Sequence, residues 1–461
     1  MYKPSTTALF FSCVLFAIVI TSYAQEVPGH RRASEKLIAE IDSSTWIPRS
    51  LKVSLDSRQV AYVARSGDRG VVVVDGKKEK QYDGISPTGI IYSPDGKRVA
   101  YGAQLGKRQL VVVDGKEGKE YDGIAKGSPV FSPDGKRVAY GARLSRKWFV
   151  VVDGRQEKRY DNISEGTPIF SPNGRQVAYA VQLGGKWVVV VNGKEGNPYD
   201  GMGGLVFSPD GKRVAYGAQL GDKRLVVVDG KEGKPYDGIG GILFSPDSKR
   251  VAYSARLGDK RFVVVDGGEE KQYNDILEGT LIFSPDGKRV AYGARLGDRW
   301  VVVVGGREEK QYDDIGGGTL IFSPDGKRVA YGARLGDKWF VVIDGKEEKQ
   351  YDGVAMRSLI FSPDDKRVAY GARLGNKWFV VIDGKEEKQY DRIESLIFSP
   401  DGRRIAYGAQ LRDKWFVVVN GHEEKRYDGI LKGSKIIFDT DTSLHYLALD
   451  GKKIYLVEEN F

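Results

Sequence analysis

From about residue 45 to the end, the chain repeats one rhythm of apolar and polar positions. Residues 280–315 show a single copy. Leu281-Ile282-Phe283 reads as a short strand. Ser284-Pro285-Asp286-Gly287 reads as a turn, because proline presets φ and glycine accepts positive φ at no steric cost. Residues 289–295 form a second strand, and Gly297-Asp298 turns the chain again. Residues 300–304 (Trp-Val-Val-Val-Val) are aromatic and β-branched, which suits a third strand. Gly305-Gly306 turns, and residues 310–315 form a fourth, more polar strand. No segment carries an apolar period of 3.6 residues, so helices are not expected. Each copy is therefore a four-stranded antiparallel meander.

The aspartate of the Ser-Pro-Asp-Gly turn dates the repeat. It stands at Asp95, Asp134, Asn173, Asp210, Asp247, Asp286, Asp325, Asp364 and Asp401, with worn copies around Asp56 and Asp441. The intervals are 39, 39, 39, 37, 37, 39, 39, 39, 37 and 40 residues. A fixed period near 40 marks a repeat architecture. The third strand of each copy is apolar on both faces and wants cover on both, so copies must stack face to face. Each buried Val, Phe or Ile then contributes about 1.5–3 kcal/mol. Radial stacking of four-stranded units makes a β-propeller, so the fold class is all-β. The last copy supplies strands at 436–438, 444–449 and 453–458 and then stops. Leu37-Ile38-Ala39-Glu40-Ile41 is suited to be its missing outermost strand. Pairing the two termini would close the ring and cover an open edge. The count is then about eleven blades, above the roughly 4–8 of most propellers. One large ring is expected, and two smaller rings are the alternative.

The motif Ser-Pro-Asp-Gly-Lys-Arg-Val-Ala-Tyr at 323–331, followed by Trp-Phe-Val-Val-Ile-Asp at 339–344, resembles the WD40-like propeller repeat of bacterial exported proteins, the type found in the Tol-system periplasmic protein. The resemblance covers residues from about 45 to 461. It departs from that protein in showing no α/β domain before the propeller, and it lacks the peptidase domain that follows such propellers in some serine hydrolases. It implies a propeller fold and a style of binding.

The N-terminus reads as an address. Lys3 precedes an apolar run of 13 residues from Ala8 to Ile20, and Ser22-Tyr23-Ala24 ends in small residues at the positions a signal peptidase reads. The run is short for a membrane-spanning helix, which needs about 20 residues. The expected organisation is a signal peptide at 1–24, a flexible mature N-terminus at 25–35 and the propeller at 36–461. Cleavage after Ala24 removes Cys13, the only cysteine, so the exported chain would use no disulfide. A periplasmic or secreted location follows, with no transmembrane segment in the mature chain.

Composition narrows the chemistry. Three histidines, one cysteine and three methionines among 461 residues argue against a metal centre or a thiol hydrolase. The formal net charge is +10. The exported address and the even spread of charge over the repeats argue against nucleic acid, which leaves a protein or an anionic envelope polymer as partner, with the chain a monomer. No Gly-x-Ser-x-Gly elbow, cysteine pair or His-x-x-x-His occurs, and no cofactor is expected. The turn aspartates recur in every copy, and ten equivalent active sites are not credible.

Three columns remain. Tyrosines recur in the second strand (Tyr101, Tyr140, Tyr179 and their equivalents) and at the end of the fourth (Tyr82, Tyr121, Tyr160 and theirs), as expected for packing between blades with a tethered hydroxyl. Tryptophans open the third strand at 148, 187, 300, 339, 378 and 415. The end of the second strand holds only Arg or Gln: Arg65, Gln104, Arg143, Gln182, Gln219, Arg256, Arg295, Arg334, Arg373 and Gln410. Each either bonds a loop carbonyl of the adjacent blade or joins a ring of donors facing an anionic or carbonyl-rich ligand. Arg143, Arg256, Arg295, Arg334 and Arg373 are the ligand-binding candidates. The loops between fourth and first strands, expected on the same face, differ most among copies, as at 125–127, 164–166, 201–203, 277–279, 355–357 and 431–433. The expected function is a non-catalytic binding scaffold acting through this loop face. The alternative is an enzyme with its site in the central channel, hydrolysing a sugar or lactone.

Overall fold

The computed structural model describes residues 32–86 and 89–461, so the signal-peptide assignment lies outside the described residues. The described chain forms eleven antiparallel sheets and no helix. Blade 1 consists of strands a to d at Lys52–Val53, Val60–Ser66, Arg69–Val74 and Lys77–Tyr82, from the channel outward. Blade 5 consists of Gly201–Phe207, Val214–Leu220, Lys223–Val228 and Lys231–Glu232. Blade 11 takes strands b and c from Ser443–Asp450 and Lys453–Asn460, and its strand d is the N-terminal Arg32–Glu40.

The termini therefore close the ring. Arg32 pairs with Asn460 and Glu40 with Lys453, with one bulge between Leu37 and Ala39. This strand takes in residues 32–35, which the sequence places ahead of the propeller. Eleven apolar clusters each join two neighbouring sheets. One of them packs Leu447 and Ile454 of blade 11 against Val60 and Tyr62 of blade 1. The molecule is one ring and not two. Polar groups seal the same seam. Arg58 donates to Glu458 at 2.8 Å and Asp439 at 2.9 Å, and buried His445 lies 2.8 Å from the Asp439 carboxylate and 2.6 Å from the Asp56 carbonyl.

Two side-chain columns hold blade to blade. The strand-d tyrosine of one blade meets the strand-b tyrosine of the next edge-on, as in Tyr82 with Tyr101 at 6.2 Å and Tyr312 with Tyr331 at 6.2 Å. Such pairs add about 0.5–1.5 kcal/mol beyond the area they bury. Tyr101 donates to Glu79 at 2.6 Å and Tyr331 to Glu309 at 2.7 Å. Desolvation, then the neighbouring carboxylate, holds both hydroxyls far above the ordinary phenol value. The second column is the arginine of Lys-Arg-Val. Arg98 reaches the next blade's turn, donating to the carbonyls of Gly135 and Lys136 at 3.0 Å, and lies 5.2 Å from the Phe131 ring. It is held by Asp114 at 2.8 Å.

The Ser-Pro-Asp-Gly turns lie on the lower face with the c–d turns. In one copy Ser323 donates to Asp325 at 2.7 Å, and Asp325 accepts from the Lys327 N–H at 2.9 Å. Gly326 closes the turn at a φ of 71°, the left-handed region that favours glycine.

The innermost strand differs from expectation. The polar segment at 310–315 is not one strand. Arg307–Tyr312 is strand d of blade 7, and Asp314–Ile315 has already crossed to pair with strand b of blade 8. The variable tripeptides are therefore not crossover loops. They sit inside strand a, on the channel wall, where they break it in two in every case but 201–203, which lies within the continuous strand Gly201–Phe207. In blade 3 Gly123–Ile124 and Val130–Phe131 both pair with strand b, and residues 125–129 bulge between them.

Candidate functional site

The site is built on the channel wall and the upper face, which carries the b–c turns and the d–a crossovers. The wall is of two kinds. In blade 3, Ile124 faces Ala142 and Val130 faces Ala139, so three extra residues bulge from strand a. In blade 5, Gly203 faces Gly217 and Val206 faces Ala215, so one extra residue suffices. That difference of two residues is the difference between the intervals of 39 and 37. Blades 5, 6 and 10 have the short form, with continuous strands Gly201–Phe207, Gly238–Phe244 and Arg392–Phe398.

A wide bulge orphans a strand-b N–H, and a buried amide without a partner is costly. A hydroxyl inside the bulge repairs this. Thr319 accepts from Gly332 N–H at 2.9 Å and donates to Gly316 O at 2.6 Å. Ser50, Ser128, Thr280, Ser358 and Ser434 accept from strand b in the same way. The bulge tips then present their side chains to the channel. Arg49, Lys126, Arg357 and Lys432 are basic and Glu165 and Glu278 acidic, and Glu394 stands on the short wall of blade 10, all exposed. The three carboxylates stand on blades 4, 7 and 10, so no two are on neighbouring blades. Glu394 is open to the channel but surrounded by its wall, and desolvation raises its carboxyl above the ordinary value.

The five candidate arginines all lie on the upper face, on blades 3, 6, 7, 8 and 9. Their carbonyl partners belong to their own blade and not to the adjacent one. Arg334 donates to Gly336 O at 2.8 Å, and Arg373 to Gly375 O at 2.9 Å and Asp352 O at 3.2 Å. Arg256 reaches Gly258 O at 3.4 Å and Asp237 O at 3.2 Å, and Arg143 reaches Asp122 O at 3.5 Å. Arg295 lies 6.0 Å from the Trp300 ring, and Arg143, Arg334 and Arg373 lie over Trp148, Trp339 and Trp378. Blades 6 to 9 bring four of them into one arc, and Arg143 stands apart. The crossover aspartates beside them are committed. Asp352 accepts from Lys338 and from the Gly375 N–H, and those bonds hold its carboxyl below the usual range.

One sector breaks the pattern in several ways at once. Among the described residues blades 5 and 6 are the only adjacent pair with short walls, and those walls carry Gly203, Gly204, Gly240 and Gly241. The tryptophan column stops at Trp187 and resumes at Trp300, with Arg224 and Arg261 between. The strand-b leucines are open here, Leu220 at 41% and Leu257 at 47%, as is Leu183 of blade 4 next to this sector at 39%. Two hollows of about 290 and 260 Å³ open between the strand-a walls of blades 5 and 6 and of blades 6 and 7; a larger one of about 700 Å³ opens between the wide walls of blades 2 and 3, so it is the bare glycine wall and the arginines that set this sector apart. Sequence reasoning did not assign this sector, although the consecutive 37-residue intervals and the Trp-to-Arg changes mark it. Among the described residues no group of three or more His, Cys, Asp or Glu side chains is placed to hold a metal ion, and no helix is long and apolar enough to cross a membrane.

No family model matches the chain, and no curated protein matches it. Solved structures do resemble it. A eukaryotic initiation factor superposes with a TM-score of 0.42 at 14% identity, covering 80% of this chain and 94% of its own. The Dos1 propeller gives 0.34 at 13%, covering 72% and 92%. TolB from Acinetobacter baumannii gives 0.26 at 15%, covering 64% and 78%. At these scores the propeller assignment rests on the strand pairing above and not on the neighbours.

Proposed function

We propose that this chain is an exported, non-catalytic scaffold that docks a protein or an anionic envelope polymer through its upper face, as a monomer. One observation carries the reading. The crossover carboxylates of that face are neutralised by b–c turn cations, as in Arg108 with Asp122 and Lys147 with Asp161, both at 2.6 Å. The arginines of the second-strand column are left as its surplus charge. Among the described residues Arg143, Arg256, Arg295 and Arg373 make no carboxylate ion pair within 4 Å, although Asp237 and Asp352 lie near enough to attract Arg256 and Arg373, and Arg334 meets Asp314 at 3.6 Å. A planar guanidinium that has spent one or two of its five N–H groups still offers a fork to a carboxylate or sulfate. Repetition around a ring lets weak contacts add.

The test is a pull-down from envelope extracts with the wild-type chain and with Arg295→Glu/Arg334→Glu/Arg373→Glu. Partners retained by the wild type and lost at least tenfold by the variant support the reading. Equal recovery overturns it. Mass spectrometry of the chain recovered after export should begin at Gln25, and retention of residues 1–24 would remove the exported part.

A further inference from the structure

We propose that the channel rim at blades 5 and 6 captures an extended acidic peptide, its main chain laid against the bare glycine strands and its carboxylates facing Arg224 and Arg261. The inference rests on the docking role proposed above and gives it a place and a partner chemistry.

The main-chain edge comes first. Gly201–Phe207 and Gly238–Phe244 are the innermost strands of their sheets and pair on one side only, with Val214–Leu220 and Val251–Leu257. An unpaired strand edge is a template for another strand unless something blunts it. Eight blades blunt it with the wide bulge, and blade 10 puts Arg392 and Glu394 on it. Blades 5 and 6 do neither, because glycines 203, 204, 240 and 241 have no side chain to shield the backbone.

The hollows come second. The first is lined by Met202, Ile239, Ile242, Gln219 and Arg224. The second shares Ile239 and adds Leu277, Arg256, Arg261 and Glu278. Adjacent apolar hollows with polar groups at the rim suit the alternating side chains of an extended peptide.

Charge selects the partner. Arg224 has no side-chain partner among the described residues, while Arg261 pairs with Asp275 at 3.2 Å and Arg256 with carbonyls. Three guanidiniums stand against two carboxylates, Asp275 and Glu278, Arg224 is the one left without either, and guanidinium forks match carboxylates. A polysaccharide site would want aromatic platforms, and this is the sector where the tryptophans give way to arginine.

The test uses the purified chain and a fluorescein-labelled octapeptide alternating Thr with Glu. A Thr-Lys octapeptide and polygalacturonate serve as the other arms. The Thr-Glu peptide should bind at least tenfold more tightly than the Thr-Lys peptide and than polygalacturonate. It should slow hydrogen exchange in 201–207 and 238–244 but not in 353–361 or 392–398. Arg224→Trp/Arg261→Trp installs the residue type that six other blades carry at this position, so the fold should survive. That variant should weaken binding at least tenfold with an unchanged thermal midpoint. Gly203→Val/Gly240→Val, which shields the edge, should do the same. Equal binding of the Thr-Lys peptide, tighter binding of polygalacturonate, protection elsewhere or no binding would each overturn the inference. Loss of Thr-Glu binding in Arg295→Glu/Arg334→Glu/Arg373→Glu, with both blade 5–6 variants unaffected, would leave the docking face standing and remove only this sector.

Discussion

Blade 3 and blade 5 build the same sheet with two residues' difference, and the difference falls wholly on the channel wall. Strand b keeps its register with strand c in both, Tyr140 opposite Val151 and Tyr216 opposite Val227. The inter-blade tyrosine pairs are equally spaced, 6.1 Å for Tyr121–Tyr140 and for Tyr199–Tyr216. What changes is the surface offered to the channel, a bulge carrying Lys126 in one and bare glycine backbone in the other. The packing that holds the ring and the wall that meets a ligand are thus separable. A repeat can be edited on its innermost strand without disturbing the interfaces that close the ring.

The comparison breaks most completely if the ring opens, since both sectors depend on its closure. Deleting residues 32–40 uncovers the Lys453–Asn460 edge and removes buried Ala39. The thermal midpoint should fall by roughly 5–10 °C, and sedimentation should show concentration-dependent association through the exposed edge. Next in size is the hydroxyl that repairs a wide bulge. Thr319→Val strands the Gly332 N–H at a site 1% exposed. Denaturant unfolding should register a loss of about 1–3 kcal/mol. The short wall of blade 5 has no such hydroxyl to lose.

Acid should act on both sectors alike, because the turns of the lower face are common to them. Bonds from Ser323 and the Lys327 N–H hold Asp325 at about 2, and Asp364 is held at about 2 by Ser362 first. Asp210 and Asp247, on blades 5 and 6, are lowered by the same partners. A carboxyl depressed in the folded state stabilises above its unfolded value, near 3.9, and loses that contribution as the pH falls toward the folded one. Thermal midpoints should therefore be level from pH 7 to about 5 and decline from about 4 to 2, and a flat profile to pH 2 would count against these turns. The smallest effect is Arg224→Trp. It should change stability by no more than about 0.5 kcal/mol, as expected for an exposed position outside the interfaces.

The repeat, the blade count, the closing strand and the tyrosine columns were legible in the sequence, because each is a periodic feature whose apolar positions admit one packing. The placement of the variable tripeptides was not. The two halves of strand a are as short as Gly123–Ile124 and Val130–Phe131, and a Lys-Gly-Ser bulge has the composition of any crossover loop. The 37-residue intervals show that two residues are missing without showing where. The Lys-Arg-Val arginines look like surface charge until Arg98 is seen reaching into the next blade's turn. The carbonyl partners of Arg334 and Arg373 depend on how the b–c turn folds back, which spacing does not specify.

The closed ring is tested most directly by a disulfide between the two termini. Glu40 lies opposite Lys453, and the neighbouring Ile41 N–H donates to Lys452 O at 2.7 Å, so 40 and 453 form a non-hydrogen-bonded pair whose side chains approach closely. In a chain lacking Cys13, Glu40→Cys/Lys453→Cys supplies the only thiols. The account predicts a monomer with no free thiol, a faster band on non-reducing electrophoresis and a raised thermal midpoint. Two free thiols after oxidation, or disulfide-linked dimers, would contradict it.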